Sequence, residues 1–214
     1  MREDWPSDAQ RVEREEGSKK HAGMLSPALI LRAYRCGIFP MAINQQGDIG
    51  WFSPDPRAVI PLDERFHIPH GLKRVLRKNR FRITSNTNFE GVIHGCATTH
   101  GSTWISNEIV QNYCELHRLG YAHTIEVWRD DELAGGLYGV ALGGAFFGES
   151  MFHRVTDASK VALVSLVEHL RARKFSLLDT QWTTAHLARF GTYQIRKGTY
   201  LRLLRSAVKL DRKF

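Results

Sequence analysis

Ala122-His123-Thr124-Ile125-Glu126-Val127-Trp128, Glu132-Leu133-Ala134-Gly135-Gly136-Leu137-Tyr138-Gly139-Val140 and Ala145-Phe146-Phe147-Gly148-Glu149-Ser150-Met151-Phe152 are three apolar-rich runs separated by short turn segments. Arg129-Asp130-Asp131 and Leu142-Gly143-Gly144 supply the turns, so the runs predict an antiparallel meander of three strands. Interior glycine weakens a strand unless backbone must come close to something. Glycines 135, 136, 139, 143, 144 and 148 therefore argue either for a ligand groove or for tight packing and bulged turns, and the two readings weigh evenly.

Downstream of the meander the spacing predicts a helix over 158–173, a short buried strand over 176–180, a helix over 184–190 closed by Gly191, a strand over 192–195 and a last helix from Thr199. Strands in a meander followed by helix, strand, helix, strand is the order of an α+β, acyltransferase-like domain. Upstream, a helix is expected over 107–119, and another over 68–79 with Leu72, Val75 and Leu76 on one face. Lys73, Arg74, Arg77 and Lys78 surround the rest of that helix and Arg80 follows, the densest basic cluster in the chain. Such a cluster is either a solvated face or a holder of phosphate backbone whose grip weakens as salt rises.

Further upstream Ser26 is a plausible N-cap with Pro27 in the first turn, followed by Leu29, Ile30, Ala33 and Tyr34 at helical spacing and by Gly37 as a stop. The prolines of Ile38-Phe39-Pro40-Met41 and Trp51-Phe52-Ser53-Pro54-Asp55-Pro56-Arg57 predict an irregular stretch, with a domain boundary near Asp55. Residues 1–22 are charge-rich and apolar-poor, which predicts a mobile tail; 23–55 then form a small N-terminal domain and 56–214 the main one.

Lys and Arg total 30 against 22 Asp and Glu, a formal charge of +8 that raises the odds of a polyanionic partner. There is no apolar run of about eighteen residues and no signal-like segment, so a cytoplasmic protein without membrane attachment is expected. Cys36, Cys96 and Cys114 are scattered, which indicates neither a zinc cage nor a disulfide framework; no metal site is expected.

Two places invite chemistry. In a regular strand Glu149, Met151 and His153 share one face, setting an acid beside an apolar wall, and an acid so placed suits an ammonium group on an apolar body. A buried carboxylate calls for a cationic partner, and a structural pair with Lys160 or Arg154 is the competing reading. Asp179 and Gln181 lie two apart at the end of a strand and project from one face, where they could draw a proton and stabilise an oxyanion, although an Asp there is also a routine helix cap. No nucleophile set with a diagnostic signature is present, which disfavours a covalent acyl-enzyme.

Leu25-Ser26-Pro27, Ala33 to Met41, Trp51 to Arg57, Thr103-Trp104-Ile105, His123 to Trp128, Gly135 to Val140, Gly148 to Phe152, Ala158-Ser159-Lys160 and Leu178 to Gln181 resemble, in order, the motifs of the bacterial leucyl/phenylalanyl-tRNA–protein transferases. The resemblance implies a small N-terminal α/β domain joined to an acetyltransferase-like (GNAT-type) domain with a mainly antiparallel sheet. It implies an enzyme that moves Leu or Phe, with Met a third candidate, from aminoacyl-tRNA to the N-terminal α-amine of a protein. Acceptors are those beginning with Lys or Arg, marked thereby for N-end-rule degradation. Aminoacyl-tRNA is a co-substrate, no cofactor is implied, and a monomer is expected.

On the family's pattern the catalytic pair falls on Asp179 and Gln181, with Glu149 completing the catalytic site beside the aminoacyl group, the aminoacyl pocket on Leu137, Phe146, Met151, Leu166 and Leu178, and adenosine contacts on Trp104 and Met41. Met41 stands where some members carry tryptophan. Lys73, Arg74, Arg77, Lys78 and Arg80 would hold the tRNA acceptor stem through its phosphates. The rivals are a coenzyme-A-dependent N-acetyltransferase, against which the segment His153 to Asp157 lacks a glycine-rich pyrophosphate loop, and a non-catalytic basic RNA-binding module, which leaves Glu149 and Asp179 unexplained.

Overall fold

The computed structural model describes residues 25–99 and 103–214. The expected charged tail lies outside the described residues.

The first helix, α1 (Pro27–Arg35), begins as the sequence indicates: the Ser26 hydroxyl accepts from the Leu29 amide and Pro27 occupies the first turn. Gly37 then takes φ +75°, a left-handed conformation that ends the helix at no steric cost. The stretch expected to be irregular is instead an antiparallel ribbon, β1 (Phe39–Ala42) with β2 (Ile49–Phe52), in which Pro40 lies opposite Trp51. A two-stranded sheet consists only of edges, and an edge accommodates a residue without an N–H donor.

The remaining elements are β3 (Arg57–Ile60), α2 (His70–Arg77), β4 (Arg82–Ser85), α3 (Phe89–Thr99), α4 (Asn107–Arg118), β5 (Ala122–Arg129), β6 (Glu132–Leu142), β7 (Ala145–His153), α5 (Ala158–Ala172), β8 (Leu177–Gln181), α6 (Ala185–Ala188), β9 (Tyr193–Ile195) and α7 (Lys197–Ala207). Seven strands form one sheet in the order β4-β5-β6-β7-β8-β3-β9. Every pairing is antiparallel except β7 with β8, so the α+β, mainly antiparallel architecture is as expected. The meander β5-β6-β7 is its centre. Asp130 and Asp131, both at positive φ, make the first turn, and Gly143 helps make the second.

Side chains from the two faces build two cores. One face, with Leu137, Phe146 and Leu178, packs against α5 through Val161, Leu166, Val167 and Leu170, and includes Leu72 of α2 and Leu187 of α6. The other, with Tyr138, Phe147 and Phe152, packs against Tyr34 of α1, Val92 and Ile93 of α3, Tyr113 of α4 and Tyr200 of α7. Close packing accounts for most of the strand glycines: a Cβ on Gly135 would lie 2.8 Å from the Ala158 Cβ, and one on Gly136 2.8 Å from the Ile125 carbonyl. Gly148 differs, since its nearest neighbour would be the Asp179 carbonyl at 3.5 Å.

Candidate active site

The site follows from where β7 and β8 part. These parallel strands pair only through Ala145/Leu177, Phe146/Leu178 and Phe147/Asp179. Past that rung β7 continues beside β6 to His153, while β8 continues beside β3 to Gln181. The strands therefore splay at their C-terminal ends, the edge where open sheets commonly bind ligands.

A bulge sharpens the opening. Tyr138 of β6 faces Ser150 and Gly139 faces Gly148, so Glu149 has no partner in the ladder. An inserted residue shifts the alternation. The expectation that Glu149 and Met151 share a face is thereby corrected: Glu149 points toward Tyr34 and Tyr113, and Met151 packs into the core under α5.

Neither proposed structural cation holds Glu149. Lys160 pairs with Asp157 at 2.7 Å, and Arg154 donates to the Leu133 carbonyl at 3.3 Å. The expected cationic partner is likewise not found, since Glu149 makes no ion pair within 4.0 Å among the described residues. Its oxygens instead accept from the Gln181 Nε2 at 3.3 Å, from the Tyr113 hydroxyl at 3.5 Å and from Tyr34. The Tyr34 and Tyr113 hydroxyls are themselves 2.6 Å apart. Part of the residue still reaches solvent, but protein atoms enclose the carboxyl group. That burial pushes its pKa up to about 8; the Asp179 charge adds to the rise, and the tyrosine hydrogen bonds and the Arg57 charge oppose it.

Asp179 stands in the opposite condition. It is fully buried, and Arg57, itself 1% exposed, grips it with Nε on Oδ1 at 2.9 Å and Nη2 on Oδ2 at 2.6 Å. The Tyr200 hydroxyl donates to Oδ2 at 2.7 Å, and the Gln181 amide to Oδ1 at 2.9 Å. That last bond helps hold Gln181 at φ +57° and aims its side chain at Glu149. Asp179 and Gln181 thus do share a side, and neither caps a helix. Arg57 also donates to the Gly37 carbonyl at 3.2 Å and lies between the rings of Phe39 and Tyr200, its Cζ 4.8 and 4.6 Å from their centroids. One guanidinium so joins β1, β3, β8, α7 and the end of α1.

The five apolar residues expected to form a pocket are gathered in the core on the α5 face. Leu137 pairs with Met151, Phe146 with Leu178, and Leu166 reaches them from α5. Four are at most 3% exposed and Met151 is half-buried. Trp104 and Met41 lie near one another, for the Ala42 amide donates to the Trp104 carbonyl at 3.1 Å. Trp104 is half-buried, whereas Met41 is 4% exposed and packs into the core. Lys73, Arg74, Arg77, Lys78 and Arg80 are all exposed and form no ion pair among the described residues. A surface hollow of about 550 Å³ continues from this basic end along Arg80, Arg82, Trp128, Asp130 and Asp131, away from Glu149.

Arg57, Tyr34, Tyr113 and Tyr200 were not singled out from sequence. Each carried a signal: an arginine opening the apolar run Ala58-Val59-Ile60 needs an acid once buried, and tyrosines on apolar helix faces need hydroxyl partners. Among the described residues no three His, Cys, Asp or Glu side chains gather as a metal would require.

An acid of raised pKa and an amide at the mouth of a strand splay, backed by an immobilised ion pair, form a candidate site for chemistry that handles protons. Comparison with known proteins makes the class specific. The family model described as leucyl/phenylalanyl-tRNA protein transferase matches residues 59–205, and the model of that protein's N-terminal domain matches residues 23–55. A leucyl/phenylalanyl-tRNA–protein transferase of Akkermansia muciniphila is 56% identical over 187 residues, 86% of this chain and 97% of its own. One from Gloeobacter violaceus is 53% identical over 190 residues, 89% and 97% of the two chains. The chain belongs to the leucyl/phenylalanyl-tRNA–protein transferase family and is an aminoacyltransferase. Among solved structures a GCN5-related N-acetyltransferase-like protein of Streptococcus suis matches 79% of this chain and 64% of its own at 15% identity, with a TM-score of 0.41, a distant likeness that says nothing about activity.

Proposed function

We propose that this enzyme transfers Leu, Phe or Met from the 3′ end of its tRNA to the α-amine of a protein whose first residue is Lys or Arg, in the cytoplasm, as a mark for N-end-rule degradation. No cofactor enters, because the aminoacyl ester is already activated. Residues 23–55 serve as the small N-terminal unit and 56–214 as the catalytic one.

The observation that supports this reading is the splay itself, which has a different chemistry on each side. On the α5 side Leu137, Phe146, Met151, Leu166 and Leu178 suit a large apolar side chain; on the other side Glu149 and Gln181 suit an amine. An ester lodged in the gap would have its side chain among the first set and its carbonyl open to attack on the second. Trp104, half-buried, suits the terminal adenosine better than the buried Met41. The exposed, unpaired cations of α2 suit the phosphates of the acceptor stem. An apolar pocket discriminates one methylene by only about 1–3 kcal/mol, so tolerance among large apolar donors is expected.

The test is transfer of radiolabelled Leu, Phe or Met from charged tRNA to peptides beginning with Arg, Lys or Ala. Transfer to Arg and Lys peptides is expected. Equal transfer to the Ala peptide would overturn the acceptor assignment, and acetylation from acetyl-coenzyme A instead would overturn the whole. Charge reversal at Lys73, Arg74 and Arg77 raises the KM for aminoacyl-tRNA and flattens its salt dependence if α2 holds phosphate; an unaltered KM would leave α2 a solvated face.

A further inference from the structure

The reaction forms a C–N bond and breaks an ester C–O bond, and it moves one proton from the attacking nitrogen to the departing ribose oxygen. We propose that Glu149 carries that proton in both directions, and that Tyr34 and Tyr113 are the positioning residues that hold its carboxylate. Asp179 with Gln181 is then the frame and not the base. This rests on the aminoacyl-transfer reading above.

The geometry separates the two acids. A carboxylate has about four lone-pair sites. Asp179 accepts four donors, two from Arg57 and one each from Tyr200 and Gln181, and has no exposed surface. No site remains for an amine. Glu149 accepts longer and fewer bonds, stands outside the ladder on the bulge and, as a residue, is half-buried where Asp179 has no exposed surface.

The groups that face Glu149 come from every element around it: Tyr34 from α1, Tyr113 from α4, Tyr138 from β6, Asp179 and Gln181 from β8, and Arg57 from β3. Burial raises Tyr34, Tyr113 and Tyr138 well above the ordinary tyrosine value, and Arg57 is raised by Asp179 against the cost of its own burial. None of these changes charge near neutrality. Glu149, moved up to about 8, does, and a protein α-amine lies at about 8 as well. A general acid or base works best when its pKa lies near the operating pH, so a carboxyl group near 8 can both take up the proton that the nitrogen releases and give it to the ribose oxygen.

In the balanced sequence the neutral amine attacks the ester carbonyl, the Glu149 carboxylate takes the proton that the nitrogen releases, and the resulting acid returns it to the ribose oxygen as the C–O bond breaks. Amide and alcohol leave, and Glu149 is a carboxylate again. The Tyr34 and Tyr113 hydroxyls share a hydrogen bond, so one O–H of the pair is left to donate to the carboxylate; that donation favours the charged form of Glu149, while Asp179 disfavours it.

Single-turnover transfer from Phe-tRNA to one Arg-initiated peptide, followed against pH in the full chain and its variants, tests this. Because the acceptor is constant, the amine's own titration is the same in every curve. Glu149→Gln should slow the chemical step by about 10² to 10⁴ with little change in the KM for aminoacyl-tRNA. In Tyr34→Phe and Tyr113→Phe the rising limb should move to higher pH, and in Asp179→Asn to lower pH. A Glu149→Gln enzyme of undiminished rate, or tyrosine variants that melt normally with the limb unmoved, would overturn the proposal. So would a limb abolished in Asp179→Asn and retained in Glu149→Gln, which would make Asp179 the base. Failure of the unaltered protein to transfer at all would instead refute the reading on which the proposal rests.

Discussion

The two faces of the seven-stranded sheet hold their buried groups by opposite means. Under α5 the contacts are apolar: Leu137, Phe146, Leu166 and Leu178 interlock without a charge among them. Under α1, α3 and α4 the same sheet buries Glu126 and Asp179 together with Arg57 and four tyrosines, and carries the half-buried Glu149. An apolar face is stabilised by area removed from water, and it tolerates volume-conserving exchange. The polar face depends on every donor meeting its acceptor, so it is the more specific and the more easily damaged. The groups proposed to react belong to it, where directed bonds fix the side chains.

This contrast is broken most severely at Arg57. Removing one partner of a buried ion pair strands the other, at a cost of about 3–5 kcal/mol, a large part of the stability of an ordinary domain. Arg57→Ala should therefore lower the urea midpoint more than any truncation under α5. Next comes Leu166→Ala, expected to cost about 3 kcal/mol through lost transfer energy and a residual cavity. If the two variants were reversed in order, the polar face would be less tightly bound than its distances indicate.

A smaller effect separates the buried acids from one another. Glu126 accepts from the Thr84 hydroxyl at 2.5 Å, the Thr87 amide and hydroxyl at 3.1 and 3.0 Å, and the Asn88 amide at 3.3 Å, as well as from the Thr124 hydroxyl. It ties the end of β4 to the start of α3 and shares no hydrogen-bond partner with Glu149 among the described residues. Replacement by Gln turns an amide N–H₂ toward those donors and should cost about 2 kcal/mol, within the range for stranding buried polar groups. Chemical denaturation would show it, and transfer per folded molecule should be unchanged. Ser26→Ala, which removes the cap of α1, should cost about 1 kcal/mol.

The apolar face is also the one the sequence shows most plainly. Apolar-rich runs located β5, β6 and β7, helical spacing located α5, and local turn chemistry located the two hairpins, because each is decided by residues close in the chain. What escaped depends on distant partners. The helix α3 contains Gly91 and Gly95 among β-branched residues, a poor helix former by propensity. It exists because Gly95 lets the Phe152 ring lie against its backbone, where a Cβ would come within 2.5 Å. Strand β3 is four residues long and enters the sheet between β8 and β9, both far away in sequence. Gly148, Glu149, Asp179 and Gln181 were visible as chemistry, but the face Glu149 takes was not, since a bulge leaves no mark on alternation. Arg57 read as the end of a proline-rich stretch until Asp179, 122 residues on, gave it a partner.

The smallest effect depends on pH and changes the comparison within the polar face itself. Glu149 rises from an ordinary 4.5 to about 8 on folding, so the folded chain holds more protons than the unfolded one between those values. Stability linked to this group is fully present below pH 4.5 and is lost as pH climbs through about 8. Glutamine keeps the neutral form at every pH. Glu149→Gln should therefore melt close to the unaltered protein near pH 5 and above it at pH 9, with the difference growing across the interval. A constant difference, or one that widened toward acid, would mean that Glu149 is folded as a carboxylate, held by its hydrogen bonds from Tyr113 and Gln181.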